Sequence, residues 1–138
     1  MRKTIVVALC FLAAGCATAP TVSQRRSIES REFEGHFDPA FRATLAVLQD
    51  RGMIIDHTDY QAGVIKATSG MSKKESLNAT ITIEQFGTNT VRERIVFVRQ
   101  RADGECKIVN DPKMMREIHE QIQQEIFART SSANPPPA

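Results

Sequence analysis

Leu77-Asn78-Ala79-Thr80-Ile81-Thr82-Ile83-Glu84 alternates strictly, with Leu77, Ala79, Ile81 and Ile83 apolar and the residues between them polar. Successive side chains of a strand point to opposite faces, so this period of two specifies a strand with one face in a core and the other toward water. Half-buried strands of this kind belong to antiparallel sheets. Gly87-Thr88-Asn89 then turns the chain back into a second strand, Val91 to Gln100. On that return Val91, Glu93, Ile95 and Phe97 share one face and Arg92, Arg94, Val96 and Val98 the other, so neither face is uniformly apolar.

Upstream, Val64-Ile65-Lys66-Ala67 and the run beginning Met53-Ile54-Ile55 read as strands. They are joined through Asp59-Tyr60-Gln61-Ala62-Gly63, where Asp and Gly supply turn chemistry. Arg31 to His36, around Phe33, is a candidate first strand. Asp38-Pro39 then predicts a helix start, with Asp38 as N-cap and Pro39 at the first helical position, where its missing N–H is not needed. Phe41, Leu45 and Leu48 give that helix one apolar face, and Gly52 suits the left-handed residue that closes it. Downstream, Asp103-Gly104 is a tight turn, Cys106-Lys107-Ile108-Val109 a brief last strand, and Asp111-Pro112 the start of a final helix. The stripe Met115, Ile118, Ile122 and Ile126 on that helix needs a sheet to cover. The expected fold is α+β: an antiparallel sheet of about four to five strands with two helices packed on one face, in the order β-α-β-β-β-β-(β)-α. It occupies residues 31–129 as a single domain.

The chain opens with a basic segment, Met1-Arg2-Lys3, followed by the uncharged run Ile5 to Leu12. That pattern reads as a secretion signal over residues 1–15, too short for a membrane span of roughly 20 apolar residues. Leu12-Ala13-Ala14-Gly15-Cys16 resembles the bacterial lipobox, with Ala13 where Leu is commonest. The resemblance implies a diacylglyceryl thioether on the Cys16 sulfur, cleavage before Cys16 and acylation of the freed amine. Each buried methylene contributes about 0.8 kcal/mol, so two or three acyl chains hold a protein at a membrane. Residues 16–30 are polar without an apolar period and are expected to be a tether; residues 130–138, with Pro135-Pro136-Pro137, a disordered tail.

The 138 residues carry 18 Lys+Arg against 16 Asp+Glu, and loss of Arg2 and Lys3 with the signal leaves a near-neutral chain without the basic footprint of a nucleic-acid binder. Cys10 leaves with the signal and Cys16 is consumed by lipid, so no internal disulfide is expected and Cys106 reads as a small buried hydrophobe. His36, His57 and His119 show no metal-ligand spacing, and His119, among Glu117, Glu120 and Gln121, reads as solvated. Asp56 and Asp59 flank a turn, which favours capping over acid–base work. Neither a nucleophile elbow nor a phosphate loop is present, and no cofactor or metal is expected. Arg92, Arg94, Arg99 and Arg101 cluster around one strand and form a possible interaction face; solvated charges that protect a sheet edge are the competing reading.

The segment Phe41 to Ile55, with Leu48-Gln49-Asp50-Arg51-Gly52 closing the helix, then Asp59 and Gly63-Val64-Ile65-Lys66-Ala67, resembles a recurring stretch in small, mostly uncharacterised proteobacterial outer-membrane lipoproteins. More distantly, the order of elements is similar to the α/β domains of the BamC lipoprotein of the outer-membrane assembly machinery. The resemblance implies a fold and a location: Ala17 rather than Asp follows Cys16, which favours the outer membrane over the inner. It implies no activity. The expected function is that of a lipid-anchored, non-enzymatic module that binds an envelope protein. A small-ligand carrier, with a pocket lined by Met114, Met115 and Phe127 between sheet and helices, is the first alternative. An envelope enzyme whose groups meet only in the fold is the second.

Overall fold

The computed structural model describes residues 21–133. In chain order its elements are α1 (Val22–Glu29), β1 (Ser30–Glu34), α2 (Phe37–Asp50), β2 (Ile54–Asp59), β3 (Val64–Ser72), β4 (Glu75–Gln85), β5 (Thr90–Arg101), β6 (Cys106–Val109) and α3 (Pro112–Ala133). The alternating stretch lies in β4, which pairs antiparallel with β5 so that Ala79 faces Phe97, Ile81 faces Ile95 and Ile83 faces Glu93. The sheet runs β1-β5-β4-β3-β2, with β6 also on β5. Because β1 pairs with residues 90–94 and β6 with residues 97–100, the two short strands lie end to end along one edge of β5. The class is α+β as expected, but among the described residues the sheet has six strands and there are three helices.

One sheet face carries Ile65, Ala67, Ala79, Ile81, Ile83, Val91, Ile95 and Phe97, all buried. Against it lie Phe41, Val47 and Leu48 of α2 and the predicted stripe Met115, Ile118, Ile122 and Ile126 of α3, buried as well. Removing this apolar area from water, at roughly 25 cal/mol per Å², is what joins the two layers. The turn between β2 and β3 follows its chemistry: Asp59 accepts the Ala62 N–H at 2.9 Å, and Gly63 takes a φ of 68°. A Cβ at Gly63 would stand 2.1 Å from the Ile83 carbonyl oxygen, so no other residue fits there. The register of β2 on β3 shifts between Ile55 and His57, a bulge at Asp56.

Several local expectations are corrected. Residues 22–29 lie in the stretch expected to be a tether, yet form α1. Its start is a capping box in which Thr21 Oγ1 accepts the Gln24 N–H at 3.3 Å and Gln24 Oε1 accepts the Thr21 N–H at 2.9 Å. At its other end Glu29 is buried and pairs with Arg94 at 3.0 Å, and Ile28 packs on the core. One ion pair and one isoleucine hold this helix, so no apolar period announces it. α3 continues past residue 129 to Ala133, with Thr130 and Ser132 donating back to the carbonyls of Ile126 and Ala128 at 2.8 Å each. The start of α2 is capped from outside. The helix begins at Phe37 after an N-cap His36 without a side-chain bond, and Gln85 Oε1 on β4 accepts the Phe37 N–H at 2.8 Å. Asp38 instead accepts from Arg42 and from the Tyr60 hydroxyl. Asp111 does cap α3, accepting from Lys113 and Met114 N–H groups at 3.0 and 3.2 Å. Gly52 closes α2 at a φ of 74°, with Met53 N–H donating to the Leu48 carbonyl at 3.0 Å.

Two measurements test this packing. Ile122 is fully buried, so Ile122→Ala should cost roughly 2–5 kcal/mol through lost transfer energy and a residual cavity, read as a lower urea midpoint. The bonds from Arg42 and, second, from Tyr60 hold the Asp38 carboxyl below the usual carboxylate range. A lowered native pKa stabilises above the ordinary value, and that contribution is lost as pH falls toward the lowered one. Tyr60→Phe should therefore move the Asp38 titration upward in carbon-detected NMR; an unmoved titration would contradict the bond.

Candidate interaction surfaces

The four arginines expected to share a face are dispersed. Arg92 and Arg94 point to the outer side of the sheet, away from α2 and α3, because Val91, Glu93 and Ile95 between and beside them are buried on the inner side. Arg92 pairs with Glu32 at 2.9 Å and lies over the Phe86 ring, 4.2 Å from its centroid. Arg94 pairs with Glu29. Arg99 falls on the inner-side register and is exposed. Arg101, the last residue of β5, reaches Asp103 and Glu105 of the following turn at 3.9 and 3.0 Å. Three of the four thus meet an acid of the same chain, and together they make no single basic face.

The sheet interior holds a polar group that the sequence placed in solvent. Glu93 and His119 are 1% and 2% exposed, with His119 Nδ1 3.4 Å from Glu93 Oε2. Thr44 Oγ1 stands 2.7 Å from the other Glu93 oxygen and 2.8 Å from the Ala40 carbonyl, and the Phe33 ring lies 6.0 Å from the imidazole. β5 supplies the carboxylate, α2 the hydroxyl and α3 the imidazole. The acidic and polar sequence neighbours of His119 point to solvent; yet it follows Ile118, and Met115 and Ile122 lie four residues before and three after it on the buried stripe. The usable signal was Glu93 at an inward register between Val91 and Ile95, since a buried carboxylate requires a polar partner. A carboxylate beside an imidazole can orient a base. Here, however, both groups are enclosed, and the Thr44 hydroxyl meets the carboxylate rather than the imidazole. Among the described residues no group of three or more metal-ligating side chains forms.

Cys106, expected to be a small buried hydrophobe, is exposed on β6, the short edge strand. Met115 is buried in the core and Met114 packs partly against it. The pocket of Met114, Met115 and Phe127 that a carrier would use does not form: Phe127 projects into solvent, 73% exposed. It borders a surface groove of about 570 Å³ between the C-terminal half of α3 and the β1–α2 connection, lined by Phe33, Gly35, His36, Pro39 and Ile126. No protein-family model matches the chain, and no curated protein matches it. No described helix is long and apolar enough to cross a membrane.

Thr44→Val keeps the shape of the side chain and removes the hydroxyl from the buried carboxylate. It should cost about 1–3 kcal/mol in urea unfolding, with the loss largely absent in a Glu93→Leu background; an equal loss in both backgrounds would show that the hydroxyl serves only the Ala40 carbonyl.

Proposed function

We propose that the chain is a lipid-anchored, non-enzymatic module of the bacterial envelope, held by Cys16 at the periplasmic face of the outer membrane, which binds an envelope protein through the Phe127 groove. Cys16 lies outside the described residues, and the anchor reading rests on the signal and lipobox pattern alone. The observation that favours a protein partner is the distribution of apolar surface. The space a carrier would use, between sheet and helices, is filled by Phe97, Met115, Ile118 and Ile122, whereas an exposed phenylalanine flanks an open groove. Exposed aromatic residues beside apolar recesses are the usual anchors of protein interfaces.

Two experiments test the two halves. Cys16→Ser should abolish acylation, since oxygen cannot replace the thiolate in forming the thioether, and globomycin should accumulate the precursor; normal acylation of the variant by mass spectrometry would overturn the anchor. A photo-crosslinking phenylalanine analogue at position 127, in intact cells, should yield one discrete protein adduct that the same analogue at exposed Asp103 does not give. A lipid adduct at 127 would favour the carrier, and no adduct would remove the groove from the function.

A further inference from the structure

On the side of the sheet turned away from α2 and α3, where Glu29 of α1 reaches Arg94 near the β1 edge, the side chains form rows across the strands. One row is fixed by the pairings Ile54–Thr68, Thr68–Asn78, Asn78–Val98 and Val98–Ile108. It begins and ends on isoleucines that are 70% and 43% exposed. Its polar members are already engaged: the Thr68 hydroxyl sits between the Asp56 carboxylate and Asn78 Oδ1, and Asn78 Nδ2 donates to Gln100 at 3.1 Å. Covering polar groups that are bonded to one another costs far less than covering unpaired ones. Val64, Val96 and Val98 add half-buried aliphatic surface on the same side.

We propose that this face binds a second copy of the chain, sheet against sheet, about a two-fold axis running along β4. The strands form five columns, with β4 central, β2 at one end, and β1 and β6 sharing the other. A two-fold along the central column exchanges the end columns without changing height along the strands. Ile54 of each copy then covers Ile108 of the other, Thr68 covers Val98, and Thr80 on β4 meets its own counterpart. The row is self-complementary because its apolar ends are symmetric about β4, and an isologous interface requires that property. Asp59, one row along from His57, falls beside the column that carries Arg94 of the other copy, whose guanidinium it would share with Glu29 of that copy.

The area is sufficient. Five columns at about 4.8 Å, averaging about nine residues each at about 3.4 Å, give a face on the order of 750 Å², about 1,500 Å² for the pair, within the class of stable interfaces. Such an axis also keeps both N-termini at the same height, so two anchors of the kind proposed above could enter one membrane.

The test uses the full-length protein in its membrane with Cys106→Ser, to remove the exposed thiol, and Thr80→Cys on the axis. Facing sheets stand about 10 Å apart, so a short bismaleimide should join two copies through position 80, whereas Gln124→Cys, exposed on α3 on the other side of the sheet, should not crosslink. Ile54→Lys or Ile108→Glu alone should reduce the Thr80→Cys product at least fivefold without changing the far-ultraviolet circular dichroism spectrum. Both together should restore it, because position 54 faces position 108 of the other copy. No crosslinked pair, a product containing only a different protein, single substitutions without effect, or a double substitution that fails to restore would each overturn the proposal.

Discussion

Burial of one face of the β4–β5 pair under α2 and α3 is the constraint on which the other features depend. Ala79, Ile81 and Ile83 meet Phe97, Ile95 and Glu93 across the ladder, and the helices have no other surface on which to place Phe41, Leu48, Ile118 and Ile122. That burial carries Glu93 inward with its neighbours, since a strand cannot turn one side chain out without turning the rest. The carboxylate therefore fixes what may stand above it: a hydroxyl from α2 at Thr44 and an imidazole from α3 at His119. One carboxylate oxygen accepts the Thr44 hydroxyl and so fixes α2, while His119 of α3 stands 3.4 Å from the other.

Much of the fold was legible because it rests on periodicity. The alternation in β4, the stripe on α3 and the closing Gly52 are local patterns that burial and turn geometry enforce directly. What stayed hidden was supplied from far along the chain. The cap of α2 comes from Gln85, 48 residues away, and no inspection of His36 to Pro39 reveals it. α1 depends on a capping box and on Glu29 meeting Arg94, 65 residues away.

The candidate surfaces were less readable than the fold for the same reason. Four arginines close in sequence fell on different sides of the sheet, because alternation separates Arg92 and Arg94 from Arg99 and Arg101, and the last of these reaches to the acids of the following turn. Phe127 looked like a lining residue for an internal pocket, but on α3 it follows Ile126, whose direction is taken by the core, and one residue of rotation puts it in solvent. The outer-face row needed the ladder registers of four strand pairs, which no linear pattern contains.

The bulge at Asp56 has a consequence for how such molecules can accumulate. An antiparallel sheet with two regular edges can be extended strand by strand, copy after copy, toward a fibre. Here the β2 edge is bent by an extra residue and carries Asp56 and Asp59, while the opposite edge is divided between two short strands of five and four residues. Neither edge offers an unbroken template. Even at high local concentration, edges of this form spare the sheet open-ended growth.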